Sequence, residues 1–172
     1  MRRHWNYFKY VCRHKWFVWV ASRHIGASLW LAVIHDLSKF SPAEWIPYAH
    51  TFYNADGTKR YAENLEFAHA WNRHQKRNPH HWQYWLITWD RGNTEALDMP
   101  VKYIYEMVAD WMGAGRAITG RWEARKWYEQ NKDKIIITDR TRETVEAIFG
   151  IRPSINFAEE CEILDFVEKF EV

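Results

Sequence analysis

The chain has little of what staples or anchors a protein. Its two cysteines, Cys12 and Cys161, lie far apart and neither belongs to a CxxC pair. This spacing argues against a disulfide framework, and a reducing cytoplasm is the expected location. No apolar run is long enough to span a membrane: Ile25 to Ile34 is far too short and is bracketed by Arg23, His24, His35 and Asp36. No small-residue cleavage site follows that stretch, so it reads as a buried helix and not as a leader. Acidic residues are missing before Asp36, where Arg2, Arg3, Lys9, Arg13, Lys15 and Arg23 stand; from Phe157 onward the balance reverses, with six acidic side chains against Lys169. The two ends read as complementary solvated faces, or the basic one as a rim that draws in an anionic substrate. A formal charge of only +2 excludes a strongly basic nucleic-acid module. Internal repeats and low-complexity segments are also lacking.

Aromatic residues, by contrast, are abundant. Twelve tryptophans and a 17% aromatic content suggest an aromatic-rich core between helices more readily than a base-stacking surface. The length fits one domain over 1–172, with a motif-bearing core at 1–119 and further helices at 121–172. Helical spacing runs from about Trp5 to Arg23, Gly26 interrupts, and a short second helix leads to His35 and Asp36. Ser41-Pro42-Ala43-Glu44 has the form of a helix start with a capping box. A helix over Tyr61–Arg77 should end at Asn78-Pro79. Alternation from Trp82 to Thr88, the Asp90-Arg91-Gly92-Asn93 turn and Glu95-Ala96-Leu97 predict a small β-hairpin. Pro100 then opens a helix to about Thr119. Helices over Arg121–Asn131, from Asp139 or Thr141 to Gly150, and over Phe157–Phe170 complete a mainly helical fold, with Ile135–Ile137 extended.

The most informative residues are His35 and Asp36 at the end of the apolar stretch. An adjacent imidazole and carboxylate at a core edge are expensive to desolvate for packing alone, yet together they suit a metal ion. Read as helical neighbours, they point about 100° apart and need other elements wrapped around them. Candidate partners lie on both sides. His14, preferred to His24, is upstream; His69, Arg73, His74, Arg77, Asn78, Pro79, His80 and His81 crowd a helix end downstream. Glu106 and Asp110 then share one face of an otherwise apolar helix, where buried carboxylates call for a cation. Asp110 is the candidate closing ligand and Glu106 an orienter or general acid/base. Gly113 and Gly115 would allow close backbone approach, and Arg116 follows about one and a half turns after Asp110.

This order, with His-Asp-Leu-Ser-Lys after an apolar helix, resembles the HD superfamily of metal-dependent phosphohydrolases. Up to about Thr119 the chain also looks like a small family of phages and bacteria, recognisable by His-Lys-x-Phe-Val at His14, His-Asp-Leu-Ser-Lys-Phe-Ser-Pro-x-Glu at His35, Arg-Asn-Pro-His-His-Trp at Arg77 and Glu-Met-x-x-Asp-Trp at Glu106. The superfamily resemblance implies an HD-domain-like helical bundle with one or two divalent ions, manganese, iron, zinc or similar. It implies His14, His35, Asp36 and Asp110 as metal ligands, with Asp36 shared and His74, His80 and His81 serving a second ion. The expected reaction is hydrolysis of a nucleotide or other small phosphoester by a metal-activated water. Lys39, Glu106 and His74 are the catalytic candidates, and Lys39, Arg73, Arg77 and Arg116 the phosphate-binding ones. No membrane partner is expected, nucleic acid is the less favoured macromolecular ligand, and a homo-oligomer is compatible. The rival readings are a nucleotide or single-stranded nucleic-acid binding protein without turnover, and a di-iron oxygenase.

Overall fold

The computed structural model describes residues 1–151; the predicted helix over Phe157–Phe170 lies outside them. The described chain is mainly helical, with one small two-stranded antiparallel sheet. Its seven α-helices are α1 (Arg2–Ile25), α2 (Leu29–Ile34), α3 (Pro42–Phe52), α4 (Leu65–Arg77), α5 (Val101–Thr119), α6 (Ala124–Asn131) and α7 (Asp139–Ile148). Among the described residues no helix is long and apolar enough to cross a membrane.

Helix α1 organises the rest. Its buried stripe runs Tyr7, Val11, His14, Val18, Ala21, the three- and four-residue spacing that keeps side chains on one face. Tyr7 and Val11 belong to one apolar core with Tyr48, Ala49, Phe67 and Ala70 from α3 and α4. Val18 and Ala21 belong to another with Ile104, Met107, Val108, Tyr128 and Val145 from α5, α6 and α7. His14 falls between the two. The deepest rings are tyrosines, Tyr7, Tyr48 and Tyr128, whereas the tryptophans pack at the margins of these cores or stand exposed. An indole is too large to enclose fully in a domain of this size.

Close approach of α1 and α5 depends on Gly113. A β-carbon there would lie 2.6 Å from both Cγ2 and the backbone nitrogen of Val18. Gly115 has no such role, because its nearest neighbour would be Arg121 O at 4.0 Å.

Several local expectations change. The apolar stretch before His35 is not a buried helix: in α2 only Ala32 is covered, while Trp30 is 69% and Val33 54% exposed. Gly26, left-handed at φ 74°, turns the chain back along α1, and six residues are too few to enclose a helix apolar on all sides. Lys15 Nζ caps this short element by donating to Val33 O at 3.1 Å and to His35 O. Residues Trp82–Trp85 form a 3₁₀ turn, so the hairpin is reduced to β1 (Leu86–Thr88) and β2 (Thr94–Ala96) around the expected turn. Thr138, and neither Asp139 nor Thr141, caps α7, its side chain accepting from Thr141 N.

Candidate metal centre

His35 and Asp36 are not consecutive residues of a helix. α2 ends at Ile34, His35 leaves the helical conformation at φ −47°, ψ 129°, and Asp36 takes the left-handed conformation at φ 58°, ψ 20° before a 3₁₀ turn over Leu37–Phe40. Asp36 is the only non-glycine residue with positive φ among those described. Aspartate tolerates this region better than most side chains, yet the conformation still costs on the order of 1–2 kcal/mol. The sharp reversal sends both side chains inward, where both are buried.

Three groups of possible ligands meet there, His35, His80 and Glu106 forming one and the other two sharing Asp36. Nε2 of His14 lies 3.3 Å from Asp36 Oδ2 and 3.2 Å from Asp110 Oδ1; Nε2 of His35 lies 3.3 Å from each of the same oxygens. The two nitrogens are 3.4 Å apart. Tetrahedral donors held at about 2.0–2.1 Å from a zinc-sized ion are separated by about 3.3 Å, so this quartet has the spacing that such an ion requires. The second set uses the other oxygen of the same carboxylate: Asp36 Oδ1 is 3.2 Å from His74 Nε2 and 3.4 Å from His80 Nε2. His81 completes a group whose donor atoms all lie within 4.8 Å of one another.

The second set also contains a cluster of unsatisfied atoms. Asp36 Oδ1, His74 Nε2, His80 Nε2 and His81 Nε2 are all buried and without a hydrogen-bond partner. Unpaired buried polar atoms are rare because each forfeits its solvation, and four gathered together have the donor chemistry that a cation would satisfy. These residues therefore suit divalent metal, with Asp36 presenting one oxygen to each group.

Behind the donors stand two more carboxylates. Glu106 Oε1 faces His35 Nδ1 at 3.1 Å and His80 Nδ1 at 3.2 Å. Glu44, fully enclosed, receives His74 Nδ1 and the Ser38 hydroxyl on Oε2, each at 2.8 Å. An imidazole that donates from Nδ1 keeps its Nε2 lone pair for a metal. The charges are strongly coupled. Burial alone would raise the Asp36 carboxyl, but His35, Lys39 and His74 outweigh it and hold the group well below the ordinary range. Burial likewise opposes ionisation of Asp110, and contacts from His14 and His35 hold its carboxyl well below that range. His35 moves the other way: burial disfavours its cation, yet Asp36, Asp110 and Glu106 raise it well above an ordinary histidine. His81 is lowered well below the ordinary value by burial, with His80 adding to the effect, which leaves it neutral and able to donate a lone pair.

Residues 3–151 match DUF5662, a family of unknown function. The chain belongs to that family. No curated protein and no solved structure matches it.

In this member of DUF5662, the structure brings His14, His35, Asp36, His74, His80 and Asp110, all buried, together with the half-buried His81. His24 lies in the last turn of α1, outside the groups of converging donors. Lys39 does not extend outward; its ammonium pairs with Asp36 Oδ2. Arg73 and Arg77 are exposed on α4, beyond the buried cluster. Arg116 is turned away, its guanidinium 5.7 Å from the Phe17 ring centre and 5.9 Å from that of Trp122. Nδ1 of His74 is committed to Glu44 and one oxygen of Glu106 to two histidines, arrangements that fit a ligand and an orienter better than proton carriers. Glu44 itself was assigned to a capping box, but Ser41 makes no side-chain cap and the Glu44 carboxylate turns inward to His74. Ser38 and Asn78 brace His74; Asn78 stands in the downstream cluster picked out in the sequence, whereas Ser38, inside the His-Asp-Leu-Ser-Lys string, was not singled out.

Proposed function

We propose that this protein is a two-metal phosphohydrolase acting on a nucleotide or another small phosphoester in the cytoplasm. The observation that carries the reading is one carboxylate, Asp36, turning a separate oxygen toward each of two groups of nitrogen and oxygen donors. His14, His35, Asp36 and Asp110 would hold one ion; Asp36, His74, His80 and His81 would hold the other. Paired divalent ions supply a water activated at neutral pH and stabilise charge on phosphoryl oxygens.

The chain's own residues perform the remaining work. Glu106 orients the rings of His35 and His80 and Glu44 that of His74, accepting at Nδ1 so that Nε2 is left for an ion. Burial of the cluster between two apolar cores excludes bulk water and strengthens each electrostatic contact. Lys39, kept cationic by Asp36 despite burial, places a positive charge at the cluster where a phosphoryl group would dock. The order of motifs, resembling that of HD phosphohydrolases, supports the same assignment.

Elemental analysis of tag-free wild type and Asp36→Asn tests the proposal. Asparagine keeps the turn conformation while removing the shared charge. Wild type is expected to carry up to two equivalents of a first-row metal, and to hydrolyse members of a phosphoester panel in its presence. The variant should keep its far-UV circular dichroism and lose the metal. Wild type that takes up no manganese, iron or zinc on reconstitution would refute the proposal.

A further inference from the structure

The two carboxylates behind the histidines are wired differently. Glu44 serves a single ligand, His74, and therefore a single donor group. Glu106 uses one oxygen, Oε1, to meet His35 at 3.1 Å and His80 at 3.2 Å. Of the two groups that share Asp36, one contains His35 and the other His80, and Glu106 with these two histidines forms a third cluster that links them. Their rings also lie against each other, with centroids 4.3 Å apart.

From this geometry we propose that Glu106 couples the two donor groups, so that filling one orders the other and the ions load as a pair. The inference rests on the two-metal reading above. An ion on His35 Nε2 requires the tautomer with its proton on Nδ1, and that proton is held by Glu106 Oε1. The same oxygen is thereby fixed in position for His80, whose Nδ1 must also donate if its Nε2 is to bind. Ordering of the carboxylate and of both rings is completed by the first ion, and the second binds to a site already set. Sharing of Asp36 alone would place two cations close together and oppose pairing; Glu106, which carries negative charge to both histidines, works in favour of it. Glu106 is thus a positioning residue, acting through the ligands.

The test is electron paramagnetic resonance of the full-length apoprotein given one equivalent of Mn(II). Paired loading predicts an exchange-coupled spectrum from chains holding two ions beside chains holding none. In Glu106→Gln the hyperfine lines of isolated Mn(II) should dominate, and both binding steps in a calorimetric titration should weaken by about 10–100-fold. In Glu44→Gln only one step should weaken by that factor. Isolated Mn(II) in the wild type at one equivalent would overturn the coupling, as would a Glu106 variant that still loads in pairs. The wild-type spectrum decides the matter even if a variant fails to fold. Absence of any Mn(II) binding by the wild type would instead remove the two-metal reading.

Discussion

At His14, α1 faces Asp110 of α5 across a buried polar contact of 3.2 Å; one turn later, at Val18, it faces Gly113 so closely that a single β-carbon would collide. The same helix pair thus holds ionisable groups in one turn and a dry backbone contact in the next. The dry turn does not compete for ligands, and it sets how near the two helices lie. Aspartate is short, so Asp110 reaches the histidines only because Gly113 lets α5 approach. The close backbone contact lies in the apolar turn and the candidate ligands in the polar one, one turn apart.

The largest effect on this pairing should come from Gly113→Ala. The obstruction involves backbone of Val18 and cannot be relieved by a rotamer change, so we expect a loss of about 1–3 kcal/mol, or roughly 3–10 °C in Tm by calorimetry. Metal content should fall with it. An unchanged Tm would show that the close contact does not fix the helix separation.

A smaller effect should separate the polar turn from the dry one by pH. His35 and His74 are raised in the folded apoprotein, where burial is outweighed chiefly by Asp36. Their contribution to stability is complete below the unfolded histidine value of about 6.5 and is lost as pH rises through the folded values. Asp36 and Asp110 are depressed, so their contribution is lost only in acid, as pH falls from about 3.9 through the folded values. Metal binding needs neutral imidazoles and strengthens with pH. The rise in Tm on adding Mn(II) should therefore be larger at pH 8 than at pH 6, by about 2–4 °C for each kcal/mol gained. Equal increments would place the ion away from these histidines.

The smallest effect is expected for Arg116→Ala. Its guanidinium lies over Phe17 and Trp122, so its loss should cost no more than about 1 kcal/mol and leave metal content unchanged. A rise in KM for a phosphoester without a change in Tm would return Arg116 to the substrate.

Much of this arrangement was legible in sequence because it follows periodicity. The buried stripe of α1, the Gly26 break, the Pro100 start of α5 and the pairing of Glu106 with Asp110 on one face all obey helical spacing. The errors arise where a local rule was overridden by a distant contact. Ser41 to Glu44 has the letters of a capping box, but an imidazole thirty residues away competes for the carboxylate. The stretch before His35 has the letters of a core helix, but its length and the turn at Gly26 leave it on the surface. The left-handed backbone at Asp36 leaves no periodic trace.

That last feature bears on how the family can change. At a position where φ is 58°, few side chains are accepted without strain, and asparagine is among the best of them. Aspartate and asparagine codons differ at a single base. One nucleotide change at this position can therefore remove the carboxylate charge while sparing the turn, giving a folded chain whose histidines are still gathered together. A relative with asparagine here would keep the turn and lose the charge that faces both groups of histidines.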